Sequence, residues 1–182
     1  MVLKSIENKV LLKFAHQVLR KHLNGDKIDV DISEISKEKY AIFVTLYKND
    51  ELRGCIGTLE PELPLISGIE KYTLLAAFHD SRFSPVKKDE LDNLKIEISI
   101  LTKPKLVGSY REISFGKDGV VVEDFQSGEK SVFLPDVAQY FDNLKDFMEE
   151  LCSQKLGREK DFYLNPNARI YVFQAIKIKD ID

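Results

Sequence analysis

Apolar positions recur at helical spacing at the start of the chain, through Ile6, Val10, Leu11, Phe14, Val18 and Leu19. The pattern predicts a first helix over residues 5 to about 23, with Ser5 as its cap and Asn24-Gly25 as its stop. Residues 26–39 are charged and read as a connector, and the alternation of Ile28, Val30 and Ile32 is compatible with a short edge strand. The β-branched run Ala41-Ile42-Phe43-Val44-Thr45-Leu46-Tyr47 predicts a strand. Lys48-Asn49-Asp50-Glu51 supplies a turn, because Asn and Asp tolerate left-handed backbone angles. A second strand carrying Leu52-Arg53-Gly54-Cys55-Ile56-Gly57-Thr58 completes a hairpin.

Pro61-Glu62-Leu63-Pro64 then breaks the pattern and opens a second helix, with Leu65, Ile66, Ile69, Tyr72, Thr73 and Ala76 on one face. That helix ends near His79-Asp80, ahead of Ser84-Pro85. Residues 87–94 predict a helical turn. In Ile96-Glu97-Ile98-Ser99-Ile100, isoleucine alternates with polar residues, the mark of a strand with one buried and one wet face. Residues 119–122 and 131–134 predict a second hairpin through Gln126-Ser127-Gly128-Glu129. Pro135-Asp136 opens a third long helix, with Val137, Tyr140, Phe141, Leu144, Phe147, Met148 and Leu151 as a core stripe and Leu156-Gly157 at its end. A last strand over residues 168–178 is apolar on both faces and is expected to be central. Hairpins joined locally, with long helices between them, indicate an α+β fold of mostly antiparallel sheets with three long helices.

Composition narrows the function classes. With 182 residues, 43% hydrophobic and 31% charged, the chain can hold one sizeable domain or two small lobes. The formal net charge is −3 and the lysines are dispersed, which argues against a nucleic-acid partner. No apolar run is long enough to cross a bilayer, so no membrane partner is expected. The segment Met1-Val2-Leu3-Lys4-Ser5-Ile6-Glu7 lacks the layout of a secretory signal, and two cysteines without paired spacing fit a cytoplasmic compartment.

The candidate chemistry centres on the second strand of the first hairpin. Alternation puts Arg53, Cys55 and Gly57 on one face and Leu52, Gly54, Ile56 and Thr58 on the other. A guanidinium beside a thiol favours thiolate. Gly54 and Gly57 leave the backbone bare for a bulge, a ligand or another chain segment. The alternative is a structural cysteine, with glycines that accommodate packing. Asp80-Ser81-Arg82-Phe83 forms a second constellation, read either as a helix end with a local ion pair or as an Arg82 anion clamp held by Asp80. A triad of Cys55, His79 and Asp80 is disfavoured, since adjacent helical residues point about 100° apart. His16 and His22 read as surface residues, and Cys152 as a small buried or half-buried one. Without a glycine-rich phosphate turn, CxxC, HxH or HExxH, neither a metal nor another cofactor is expected.

The heptapeptide at 52–58, with Ala76-Ala77-Phe78-His79-Asp80-Ser81-Arg82-Phe83, Phe133-Leu134-Pro135 and Ile170-Tyr171-Val172-Phe173, resembles the AMMECR domain family. Its prokaryotic members include the "A" protein of the AmmeMemoRadiSam system. The resemblance implies a single domain over residues 1–182 with a two-lobed α+β fold and an activity that is unsettled. It also implies a Memo-like protein or a radical S-adenosylmethionine enzyme as partner. Two functions follow. In the first, an enzyme or redox accessory uses Cys55 as nucleophile or ligand-contacting thiol, with Arg53 and Asp80 in the catalytic set. Gly54, Gly57, Thr58, Arg82 and Phe83 would then bind an anionic ligand. In the second, a non-catalytic module docks a protein through the 52–58 face. A closed pocket favours the first and a flat, exposed patch the second.

Overall fold

Asn49 and Asp50 both take positive φ, 53° and 63°. They close a two-residue turn whose twist matches the flanking strands. In the computed structural model the described residues are 5–180, with the side chains of 5–7 not among them; capping by Ser5 and the signal reading of residues 1–7 lie outside the description. The strands are β1 (Lys39–Lys48), β2 (Glu51–Pro64), β3 (Leu94–Leu101), β4 (Lys105–Val107), β5 (Gly119–Asp124), β6 (Lys130–Phe133), β7 (Ala168–Phe173) and β8 (Ala175–Lys179). The helices are α1 (Ser5–Asn24), α2 (Leu65–Phe78) and α3 (Leu144–Glu150). This is an α+β fold with two four-stranded sheets, and the chain divides into two compact units, residues 1–101 with 176–182 and residues 102–175.

The first unit holds the sheet β2-β1-β3-β8. Ile42, Val44 and Leu46 of β1 and Ile96, Ile98 and Ile100 of β3 share one alternating phase, and all are buried with Leu11, Phe14 and Val18 of α1 and Leu65 and Ile69 of α2. Burial of each such side chain is worth roughly 1.5–3 kcal/mol. The opposite phase of β3 carries Lys95, Glu97 and Ser99, as the alternation predicts. Between α1 and β1 no strand forms. There the amide oxygen of Gln17 accepts the N–H groups of Asp29 and Val30 at 3.1 and 3.2 Å. A side chain on α1 thus replaces the sheet neighbour, and Ile28, Val30 and Ile32 pack against the core. Strand β2 runs through Pro61 to Pro64 instead of breaking there. It lies at the sheet edge, where a missing N–H is tolerated.

The second unit holds the sheet β4-β7-β5-β6, in which neighbouring strands run antiparallel. Its core gathers Val120, Val122, Phe133, Phe147, Met148, Leu151 and Ile170. The expected long helix over 135–156 is segmented. Pro135–Tyr140 winds as a 3-10 helix, Phe141 is extended, and Asn143 caps α3 by accepting the Asp146 N–H at 3.0 Å. The helix then widens into a π turn over Leu151–Lys155, where the Leu156 N–H donates to the Leu151 carbonyl at 3.2 Å.

The expected single last strand is two. The Gln174 N–H donates to Thr102 Oγ1 and its carbonyl accepts the Thr102 N–H, both at 2.8 Å, so Gln174 pairs away from the strand line. Only β7, between β4 and β5, is central; β8 ends the other sheet. Among the described residues no helix is long and apolar enough to cross a membrane.

Candidate functional site

Strand β2 is an edge strand, and its pairing with β1 slips in the motif. Thr45 faces Cys55 and Leu46 faces Gly54, but Tyr47 faces Leu52, so Arg53 has no opposite residue. That is a β-bulge, which redirects a side chain. Arg53 Nε donates to Glu90 Oε1 at 3.0 Å and its terminal nitrogen to Oε2 at 3.2 Å. Glu90 also accepts Lys48 Nζ at 3.0 Å and the Lys87 N–H at 2.8 Å. Arg53 holds the Glu90 carboxyl down at about 2; the other donors assist, against the upward push of burial. The arginine that sequence alternation sets beside the thiol is therefore committed to a carboxylate.

Cys55 is reached from the other side. Helix α2 ends at Phe78, and the chain turns back through Asp80, with the Phe83 N–H on the Asp80 carbonyl at 3.0 Å and the Val86 N–H on the Ala77 carbonyl at 2.9 Å. Asp80, only 6% exposed, accepts the Cys55 N–H at 2.8 Å. Its two oxygens also accept the Arg82 N–H, Nε and terminal nitrogen at 3.2, 3.0 and 2.7 Å. Arg82 in turn donates to the Cys55 carbonyl at 3.2 Å. Both main-chain groups of Cys55 point away from β1 and are satisfied by one aspartate–arginine pair, in the manner of an additional strand residue. Arg82 above all, with the two backbone N–H groups, holds the Asp80 carboxyl well below the usual carboxylate range.

The remaining predicted residues find protein partners. A methyl group at Gly54 would overlap the Ala76 carbonyl of α2, and one at Gly57 would overlap the Ile42 carbonyl and the Phe43 ring. The glycines thus admit a helix backbone and an aromatic ring. Thr58 Oγ1 closes a local turn with the Glu60 N–H at 3.0 Å. Phe83 lies 5.4 Å from the Arg82 guanidinium, within stacking reach. His79 is exposed and is absent from the carboxylate's partners. Cys55 is half-buried, and Thr45 Oγ1 donates to its sulfur at 3.2 Å. Among the described residues no three His, Cys, Asp or Glu side chains gather as a metal cage.

The family model of AMMECR1 matches residues 12–178, a span that takes in every residue of this cluster. The chain belongs to the AMMECR1 family. It is 35% identical to a protein of Methanothermobacter thermautotrophicus over 93% of this chain and 92% of that one. It is likewise 35% identical to Protein MJ0810 of Methanocaldococcus jannaschii, over 97% of this chain and 91% of that one. Among solved structures it is similar to the uncharacterized protein PH0010 of Pyrococcus horikoshii, with a TM-score of 0.74, 31% identity, and coverage of 96% and 92% of the two chains.

In this AMMECR1 chain the sequence reading missed Glu90, Lys48 and Thr45. Glu90 sits in Lys87-Lys88-Asp89-Glu90, a string no different from any solvated surface turn. Thr45 gave no signal either: with the turn fixed at Asn49-Asp50, simple pairing sets it opposite Gly54, and only the bulge at Arg53 brings it opposite Cys55. Chemically, the cluster offers two anionic carboxylates, both neutralised, a half-buried thiol with a hydroxyl donor, and an Arg82 side chain that remains 56% exposed.

Proposed function

We propose that this AMMECR1 chain is a non-catalytic module that docks a protein partner along the outer rim of β2. The observation that carries this reading is the mutual saturation of the motif's polar groups. General acid–base work needs a side chain that titrates near the operating pH. Here the carboxyls of Asp80 and Glu90 are both shifted the other way, by arginines that they hold in place. Such an arrangement fixes a surface instead of moving a proton. At either end of the fixed segment, Leu52 and Leu59 are 41% and 40% exposed, and Arg82, hydrogen-bonded to the Cys55 carbonyl between them in the chain, lies over the Phe83 ring. Aliphatic anchors with an arginine–aromatic pair are suited to a protein interface. A Memo-like protein and a radical S-adenosylmethionine enzyme from the same genome are the partners to try first. Calorimetric titration of each into the purified chain is expected to show saturable binding that Leu52→Glu and Leu59→Glu weaken and Cys55→Ser leaves unchanged. No binding to either, or binding indifferent to both leucines, overturns the reading.

A second reading rests on the Thr45 hydroxyl at 3.2 Å from Cys55 Sγ. The hydroxyl orients the sulfur, and Cys55 would then serve as nucleophile or ligand-contacting thiol, with Arg82 for an anionic group. Alkylation of Cys55 in wild type and Thr45→Val is the test; equal rates remove the support for it.

A further inference from the structure

We infer that the open edge of β2 beyond the Asp80–Arg82 pair receives the C-terminal residues of a partner protein as an added strand, with the free terminal carboxylate on Arg82. This rests on the docking reading above and names the part of the partner that docks. The register against β1 is unbroken from Gly54 to Thr58, so main-chain direction alternates there without a slip. Cys55 turns its N–H and carbonyl outward, onto Asp80 and Arg82. Gly57, two residues on, turns the same groups outward, and among the described residues nothing bonds them on that side. Leu59 is the next residue in this phase, and Pro61 after it has no N–H to offer. The available edge is therefore bounded by an aspartate–arginine pair on one side and a proline on the other.

An edge of this kind is extended by an incoming strand. A strand laid on Leu59 and Gly57 cannot continue in register to Cys55, because the Cys55 main-chain groups already have partners. The charge at that point selects which end of a chain stops there. Arg82 Nε and Nη2 are engaged with Asp80 and the Cys55 carbonyl. Nη1 keeps two donors that have no partner among the described residues, on a side chain 56% exposed. Such donors bind a carboxylate and repel an ammonium. A C-terminus reaches Arg82 only when the added strand runs antiparallel to β2.

That direction also fixes the side-chain phase. The penultimate residue of the incoming chain faces Gly57, and the fourth from the end faces Leu59. At Gly57 the space a side chain would fill is held by the Phe43 ring, and Leu59 is 40% exposed. Both facing positions call for apolar side chains, and the two positions between and after them do not.

The test is NMR titration of the full chain, read at the amides and at the Arg82 Nε–H, with acetyl-Leu-Thr-Val-Ser bearing a free carboxylate. The comparators are its C-terminal amide, the form N-methylated at valine, and acetyl-Thr-Leu-Ser-Val, which shifts the apolar phase by one residue. The free acid is expected to shift Gly57, Leu59 and Arg82 and to saturate, and each comparator to bind at least about tenfold more weakly. Three results overturn the inference: no saturable shift with the acid up to about 10 mM, shifts that map elsewhere, or any comparator binding as tightly as the acid. A full-length partner that titrates as described above, and binds equally well without its last four residues, also overturns terminal capture while leaving the docking reading in place. Peptide binding as expected, with neither full-length candidate bound, overturns the docking of those two proteins and supports the capture of a terminus.

Discussion

Asp80 grips Cys55 by its main chain and not by its thiol: Oδ2 accepts the Cys55 N–H at 2.8 Å, across 25 residues of sequence. The carboxylate is nearly buried, so its removal strands the Cys55 N–H and leaves Arg82 without its counter-charge. Breaking a buried, hydrogen-bonded charge pair costs about 3–5 kcal/mol. Urea unfolding of Asp80→Ala is therefore expected to show a loss of about 3 kcal/mol. Arg82→Lys, which keeps a charge beside the nearly buried Asp80 carboxylate, should lose less. A larger loss for Arg82→Lys than for Asp80→Ala would contradict the assignment of Asp80 as the clasp.

The glycines of the motif give a second prediction. Gly54→Ala drives a methyl into the Ala76 carbonyl, and backbone cannot rotate aside as a side-chain tip can. Overpacking of this kind costs roughly 1–3 kcal/mol. Gly108→Ala meets only a side-chain oxygen, Glu112 Oε1, at 3.2 Å and should cost less. Thermal melts of the two variants side by side check the contrast.

Stability should fall as the solution is acidified from pH 5 to pH 2. The Asp80 and Glu90 carboxyls titrate lower in the folded chain than in the unfolded one, Glu90 at about 2 against an ordinary 4.5. The unfolded state therefore takes up protons first. The stabilisation is complete above the ordinary carboxylate range and is lost as pH falls through the folded values. For Glu90 the effect is on the order of 2 kcal/mol. Urea midpoints across this window should drop steeply in wild type and less steeply in Glu90→Gln.

The two thiols should differ in native alkylation. Cys152 is wholly buried, and burial pushes its pKa up to about 11. Cys55 is half-buried at the sheet edge. Mass spectrometry is expected to find Cys55 labelled first and Cys152 only on unfolding. Arg53→Ala should leave the Cys55 rate close to wild type, since Arg53 answers to Glu90. A strong fall in that variant would restore the direct influence that simple alternation implies.

What the chain pattern disclosed and what it concealed have physical reasons. Asn49-Asp50 announces its turn because positive φ is costly for most other residues, and the isoleucines of β3 announce their face by strict alternation. The bulge at Arg53 leaves no mark, since it depends on a one-residue slip against β1. The π turn at Leu151–Lys155 keeps an apolar helical stripe and hides within it. Gln174 is one polar residue in an apolar run, and only its pairing with Thr102 makes it a boundary. The motif residues were visible by type. Their partners Glu90 and Thr45 were not, because a carboxylate in a charged turn and a threonine in a strand have ordinary surroundings in sequence.

The break at Gln174 also sets an order of assembly on the ribosome. When Leu101 emerges, the sheet that carries the Cys55 clasp has three of its four strands, and β3 presents an unpaired flank. The missing strand is encoded beyond the whole of residues 102–175. Thr102 and Gln174 are bonded to each other, so the two ends of that intervening unit lie together. A nascent chain must hold the β3 flank clear of other strands until some 70 further residues have been made. Premature termination within them would release a protein with its motif intact and its sheet open.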